Sequence, residues 1–248
     1  MEFLLPLAAK SLLIAGATLL VLKLMQRRSS ADRSFVAHLG LASIALLPLA
    51  LLLLPQVQVE TSLVGAPAAI QAPLAKTAPI AGTEEVAPAA MPFPEAAGQP
   101  VATDVDWAFW AYAAPAALLL LFTLIALGRL VLLKAKSNVL VEPHWLTALA
   151  RAQRRMGFKH GTALLTSDEL RSPISWGLMR PVILLNKEAA DAHGQAEAII
   201  AHELAHVARL DWVKLLLSRV TVALFWFNPL VWLLAREAHQ LREEAADD

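Results

Sequence analysis

Three long apolar runs constrain this chain more than anything else in it: roughly Phe3 to Met25, Phe35 to Leu54 and Trp107 to Leu133. Crossing the hydrocarbon core of a bilayer takes about 20 apolar residues of helix, and each run is long enough. Inside lipid every backbone N–H and C=O must be satisfied within the protein, so such runs fold as helices. The first run begins Met1-Glu2 rather than with a basic cluster, and it is too long for the apolar part of a cleaved signal peptide. It is therefore read as a span. Lys10 interrupts it and is expected to snorkel or to face other helices.

Charge orients the spans. Arg27, Arg28 and Arg33 follow the first run, and Arg129, Lys134, Lys136, Arg151, Arg154 and Arg155 accompany or follow the third. Between the second and third runs, Lys76 stands against Glu60, Glu84, Glu85, Glu95, Asp104 and Asp106. Positive residues stay on the cytoplasmic side. The N-terminus is thus expected outside, the 26–34 loop inside, the 55–106 loop outside, and the rest of the chain starts inside. Trp107, Trp110 and Tyr112 fall at the outer end of the third span, where an aromatic belt belongs. Eight of the fifteen prolines lie between Pro55 and Pro100, so 55–106 reads as an extended Ala/Pro-rich linker. The zero net charge gives no reason to expect nucleic acid, and the absence of Cys means that any metal must be held by His, Asp or Glu.

After the third span the pattern changes. Pro143 opens a helix to about Met156, whose Arg151, Arg154 and Arg155 make a solvated basic face. Two short β-like runs, 162–166 and 181–186, flank "SPISWGLMR". A helix from about Gln195 to Arg209 carries His202-Glu203-Leu204-Ala205-His206. Residues four apart share a helix face, so both imidazoles can reach one zinc ion, and Glu203 sits beside it as the base that takes a proton from the attacking water. Asp211 lies off that face on an ideal helix and is expected to cap the helix that follows.

A catalytic zinc needs a third protein ligand. Glu237, His239, Glu243 and Glu244 are the downstream candidates. Were 212–235 one straight span, it would rise about 36 Å and carry all of them across the bilayer. Asn228-Pro229 breaks the run. A helix over 212–227 then travels about 24 Å away and 229–243 about 22 Å back. The expectation is a re-entrant or membrane-skimming helical hairpin that returns residue 243 to the motif. His239, Glu243 and Asp247 line one face of the last helix, with Asp247 placed to orient a ligand histidine. Glu244 with Asp248 has the same spacing, and geometry leaves both pairs open.

"AHELAHVARLDW", "SPISWGLMRPVILLN", "WFNPLVWLLAREA" and "REEAADD", in this order, resemble the membrane zinc metallopeptidases of the BlaR/MecR type, β-lactam-sensing signal transducers of the gluzincin class. The resemblance implies one Zn2+ per chain, with His202, His206 and Glu243 as ligands. It selects Glu243 over Glu244, because gluzincins take the third ligand from a Glu-x-x-Ala-Asp type of string. Glu203 would be the catalytic base, Asp247 would orient a ligand, and His239 or His193 is a candidate to steady the oxyanion. "PVILLN" would be an edge strand beside the cleft. Sensing members carry a further span and an outer penicillin-binding domain. This chain has no Ser-x-x-Lys motif, so β-lactam sensing is not carried over.

The expected architecture is mainly α and integral to the membrane. Residues 1–54 hold two spans, 55–106 the linker and 107–133 the third span. Residues 134–248 hold a cytoplasmic-face, zincin-like α+β metallopeptidase domain with a small β-sheet, expected to continue past Asp248. The expected location is a bacterial inner membrane, multi-pass. Expected partners are the lipid bilayer, a protein or peptide substrate such as a cytosolic transcriptional repressor or the chain itself, and a second copy in a homodimer. No direct nucleic-acid binding is expected. Two rivals are a quality-control protease of membrane proteins and a non-catalytic zinc-containing signalling protein.

Overall fold

The computed structural model describes residues 4–53, 107–158, 161–178 and 180–247. The linker read over 55–106 lies outside the described residues. Helices α1 (Leu4–Leu24), α2 (Ser30–Leu53) and α3 (Trp107–Lys136) coincide with the three apolar runs, and each is long and apolar enough to cross a membrane. α2 begins five residues before the apolar run because Ser29 caps it, its Oγ accepting from the Asp32 N–H at 3.1 Å. This puts Arg33 on the first turn of a helix rather than in a loop. α3 leaves nearly its whole apolar surface bare, with only Ala116 buried. A bare apolar face of that size suits lipid and not water.

The remaining chain builds a small sheet and five further helices. β1 (Asn138–Val139), α4 (Pro143–Met156), β2 (Ala163–Ser167), β3 (Ile174–Trp176), β4 (Val182–Asn186), α5 (Lys187–Asp191), a 3-10 turn (His193–Gln195) and α6 (Ala196–Ala208) come first. α7 (Asp211–Leu224) and α8 (Pro229–Asp247) follow. The sheet order is β1-β2-β4-β3, parallel between β2 and β4 and antiparallel elsewhere. The expected edge strand "PVILLN" is instead β4, an inner strand with all five residues buried. Its run of four apolar residues, with no polar alternation, is what burial on both faces requires. Ile183 and Leu185 pack with Trp145, Ile200 and Leu204 on the α4–α6 side, while Val182 and Leu184 pack with Leu133, Ile174 and Trp176 on the other. The edge on that side is β3, inside "SPISWGLMR", the stretch between the two β-like runs.

α7 and α8 form the expected helical hairpin, and it packs into the bundle of α1 and α2. Phe225, Val231, Leu234, Ala238 and Leu241 share one core with Leu7, Ala15, Leu41 and Ile44 of α1 and α2. Asn228 makes the turn: its Oδ1 accepts from the Leu230 N–H at 2.9 Å, with Pro229 at the first helical position. Its Nδ2 donates to Ser11 Oγ at 3.0 Å. Tyr112 donates to the Leu224 carbonyl at 2.9 Å, and Trp226 Nε1 donates to the Tyr112 carbonyl at 3.1 Å. The hairpin tip thus lies within about two helical turns of the starts of α1 and α3. Its open end lies at the other end of the bundle, where Arg33 meets Glu237 at 3.2 Å.

Candidate metal centre

α6 sets His202 and His206 one turn apart, with Nε2 atoms 3.2 Å from each other and rings crossed at 87°. α8 returns alongside and brings Glu243 Oε2 to 3.6 Å from His206 Nε2. One donor atom from each of the three residues lies within 4.8 Å of the others. A tetrahedral zinc bound at about 2.0–2.1 Å holds its ligand atoms about 3.3 Å apart. The two closest separations bracket that value, and two imidazoles with one carboxylate leave a fourth position open. The donor set fits zinc.

Both motif histidines back onto carboxylates. His202 Nδ1 lies 3.1 Å from Asp247 Oδ1, and His206 Nδ1 lies 2.7 Å from Asp211 Oδ2. The reading of Asp211 as a cap was wrong. Its carboxylate turns back to His206 and makes no capping bond, and the N-cap position of α7 is Leu210. Leu210 sits at φ 56°, the one non-glycine residue in the left-handed region among those described. That kink ends α6 and starts α7 at once, so the ideal-helix projection that put Asp211 off the histidine face did not apply. Asp211 is buried, and it also accepts from Arg209 at 2.9 Å and Lys214 at 3.1 Å. Burial alone would raise its pKa, but the hydrogen bonds from His206, Arg209 and Lys214 win and bring it to about 2. An ionised carboxylate only accepts, so the proton of His206 sits on Nδ1 and the Nε2 lone pair faces Glu243 and His202. Asp211→Asn is expected to weaken zinc binding by about 10–100-fold, read by competition with a chromophoric chelator. Unchanged affinity would remove Asp211 from the site.

Arg242 holds the other oxygen of Glu243, donating to Oε1 from its terminal nitrogen at 2.7 Å and from Nε at 3.2 Å. Burial works against ionisation of Glu243, but the Arg242 hydrogen bonds and charge outweigh it and leave the pKa below its ordinary value. Glu244 faces away, 4.0 Å from Arg33. Arg209 clamps the end of α8 by donating to the carbonyls of Ala245 and, at 3.3 Å, Arg242. Sequence reasoning missed Asp211, Arg209 and Arg242. A signal existed for the first, an acid five residues beyond the second motif histidine, but the others needed the fold.

Glu203 is buried and shares a cavity of about 1130 Å3 with His202, His206, Glu243 and Asp247. β3 forms one side of the cavity, and Leu127 and Leu130 of α3 form another. Ser175 of β3 donates to the Glu203 carbonyl at 3.0 Å and ties the edge strand to the motif helix. His239 does not line this cavity; its ring faces Arg242 at 2.8 Å. His193 stands with Glu142 and His144, apart from the motif residues.

His202, His206 and Glu243 thus gather three potential metal donors near the buried Glu203, in a chain with three membrane-length helices. The sequence matches the BlaR1 peptidase M56 family over residues 5–248, and the chain belongs to that family. It is 28% identical over 145 residues to the regulatory protein BlaR1 of Bacillus licheniformis, an alignment that covers 58% of this chain and 24% of that protein. The chain therefore matches about a quarter of that relative's length.

Proposed function

We propose that the protein is a zinc endopeptidase embedded in a bacterial inner membrane, with a zincin-like site at the cytoplasmic face, cutting a cytosolic regulator or itself as one step of a signal relay. The observation that carries this reading is the spacing of His202, His206 and Glu243 around a buried Glu203 in one cavity. Zinc held there supplies a water acidified toward neutrality and an electrophile for the scissile carbonyl. Glu203 takes the proton of the attacking water and returns it to the departing amine. Asp211 and Asp247 hold the two imidazoles in register, and Arg242 does the same for Glu243. Among the described residues β3 has one ladder partner, β4, and an extended peptide would add as a strand at its other edge.

Placement follows from charge. The site lies at the end of the bundle that carries Arg27, Arg28, Arg33, Lys134 and Lys136, which the positive-inside rule assigns to the cytoplasm. Membership in the family of a protein named as regulatory supports a signalling role over general proteolysis.

In proteoliposomes the chain is expected to cut a polypeptide at internal bonds, with activity lost to a chelator and restored by zinc. An intact substrate under every condition sinks the endopeptidase reading. The natural sequence has no cysteine, so the side of the membrane can be read from one introduced thiol. Asp168→Cys, on an exposed residue, is expected to react with an impermeant maleimide in inverted vesicles and not in intact spheroplasts. Labelling in spheroplasts would put the site outside.

A further inference from the structure

Glu142, His144 and His193 form a second cluster that the peptidase chemistry does not use. One donor atom from each lies within 4.8 Å of the others. His193 Nδ1 is 3.8 Å from Glu142 Oε2, and the two imidazoles meet edge to face with centroids 4.6 Å apart. We propose that these three residues are a second divalent-cation site, of the zinc class, which pins the start of α4 to the turn that leads into the motif helix.

The donor set is again two imidazoles and one carboxylate, which suits a borderline-soft cation rather than magnesium or calcium. The residues are held in place by packing. Trp145, next to His144, is fully buried, and its Nε1 donates to the Ala190 carbonyl at 3.1 Å. That bond fixes the first turn of α4 against the end of α5, three residues before His193. The segment carrying His193 is itself closed by Ala192 N–H to Ala189 carbonyl at 3.1 Å and Gln195 N–H to Ala192 carbonyl at 2.9 Å. His144 Nε2 is shut off from solvent and has no hydrogen-bond partner among the described residues. A ring with one dry, unbonded nitrogen gains more from a partner than a hydrated ring does.

The Glu142 and His193 side chains are 49% and 59% exposed. Their exposure lets a cation come and go, and the site is weaker than the His202–His206 centre. Occupancy then follows the free cation concentration. Its effect is mechanical: with the cation bound, the 3-10 turn at His193–Gln195 cannot swing away from α4, and α6 starts at the next residue.

The test is equilibrium dialysis of the full-length detergent-purified protein against buffered micromolar zinc, with elemental analysis. Wild type is expected to hold about two zinc ions per chain, His144→Ala/His193→Ala about one, and His202→Ala/His206→Ala about one. His193→Gln, a single change on an exposed turn, is expected to match the first double variant and separates loss of a ligand from loss of fold. About one zinc in wild type, lost only with His202 and His206, overturns this site and leaves the peptidase reading standing. About one zinc lost only with His144 and His193 does the reverse. Two zinc ions retained in His144→Ala/His193→Ala, or filling only at millimolar zinc, also overturn it.

Discussion

Glu203→Gln is expected to cut peptide hydrolysis by about a hundred- to ten-thousand-fold, or roughly 3–5 kcal/mol of transition-state stabilisation, while zinc content stays at the wild-type level. The amide has nearly the same shape as the carboxyl group it replaces, so the packing around a buried position is kept. What it loses is the ability to accept a proton. His202 and His206 hold their places through Asp247 and Asp211, neither of which touches residue 203 through any hydrogen bond described, so the metal site has no reason to fall apart. The measurement is kcat with a fluorogenic peptide beside zinc by elemental analysis. Full activity in the variant would mean that another group takes the proton. Loss of zinc along with activity would mean that Glu203 shapes the site rather than serving as its base.

The second large effect separates two adjacent glutamates. Glu243→Ala is expected to lower zinc affinity by more than the about 10–100-fold that loss of an outer hydrogen-bond partner causes, whereas Glu244→Ala keeps it. Glu243 Oε2 stands 3.6 Å from His206 Nε2, within reach of a shared ion, while Glu244 is turned to Arg33 at 4.0 Å. Removing Glu243 also frees Arg242, which would then present an uncompensated cation beside the metal position. Zinc content is the readout. Equal retention in both variants would place the third ligand elsewhere and undo the account of α8. Loss in both would show that the contact with Arg33 is what positions the helix.

Much of this was legible in the sequence because it rests on local periodicity. Three apolar runs gave three helices, and Pro143 marked the start of α4. Asn228-Pro229 marked the hairpin, since a cap and a residue without an N–H leave the backbone few alternatives. Length arithmetic along that hairpin returned Glu243 to the motif. What stayed hidden depended on non-local contacts or on one unusual dihedral. β3 has three residues, too few for periodicity to show, and it exists because β4 offers it a partner. β4 was expected at an edge because adjacency to the cleft was assigned to the wrong strand of the pair. Asp211 was misread because a left-handed leucine cannot be foreseen from a leucine. The residues that grip α8, Arg209 and Arg242, carried no pattern before the fold placed them. The two candidates for steadying the oxyanion, His239 and His193, were chosen by type; neither lines the cavity, though His239 Nδ1 lies 3.8 Å from Glu243 Oε1.

The hairpin has a thermodynamic consequence. α8 supplies Glu243 and Asp247 at one end and part of the α1–α2 core along its length. With zinc bound as proposed, its affinity and the assembly of the helical bundle are linked equilibria, and linkage is reciprocal. A force that parts α8 from α2 lowers the affinity for zinc, and zinc resists that force by the same free energy. On the proposed reading, a stimulus acting at the far ends of α1 and α3, where Ser11 and Tyr112 hold the hairpin tip, would change metal occupancy without any ligand of its own at the centre.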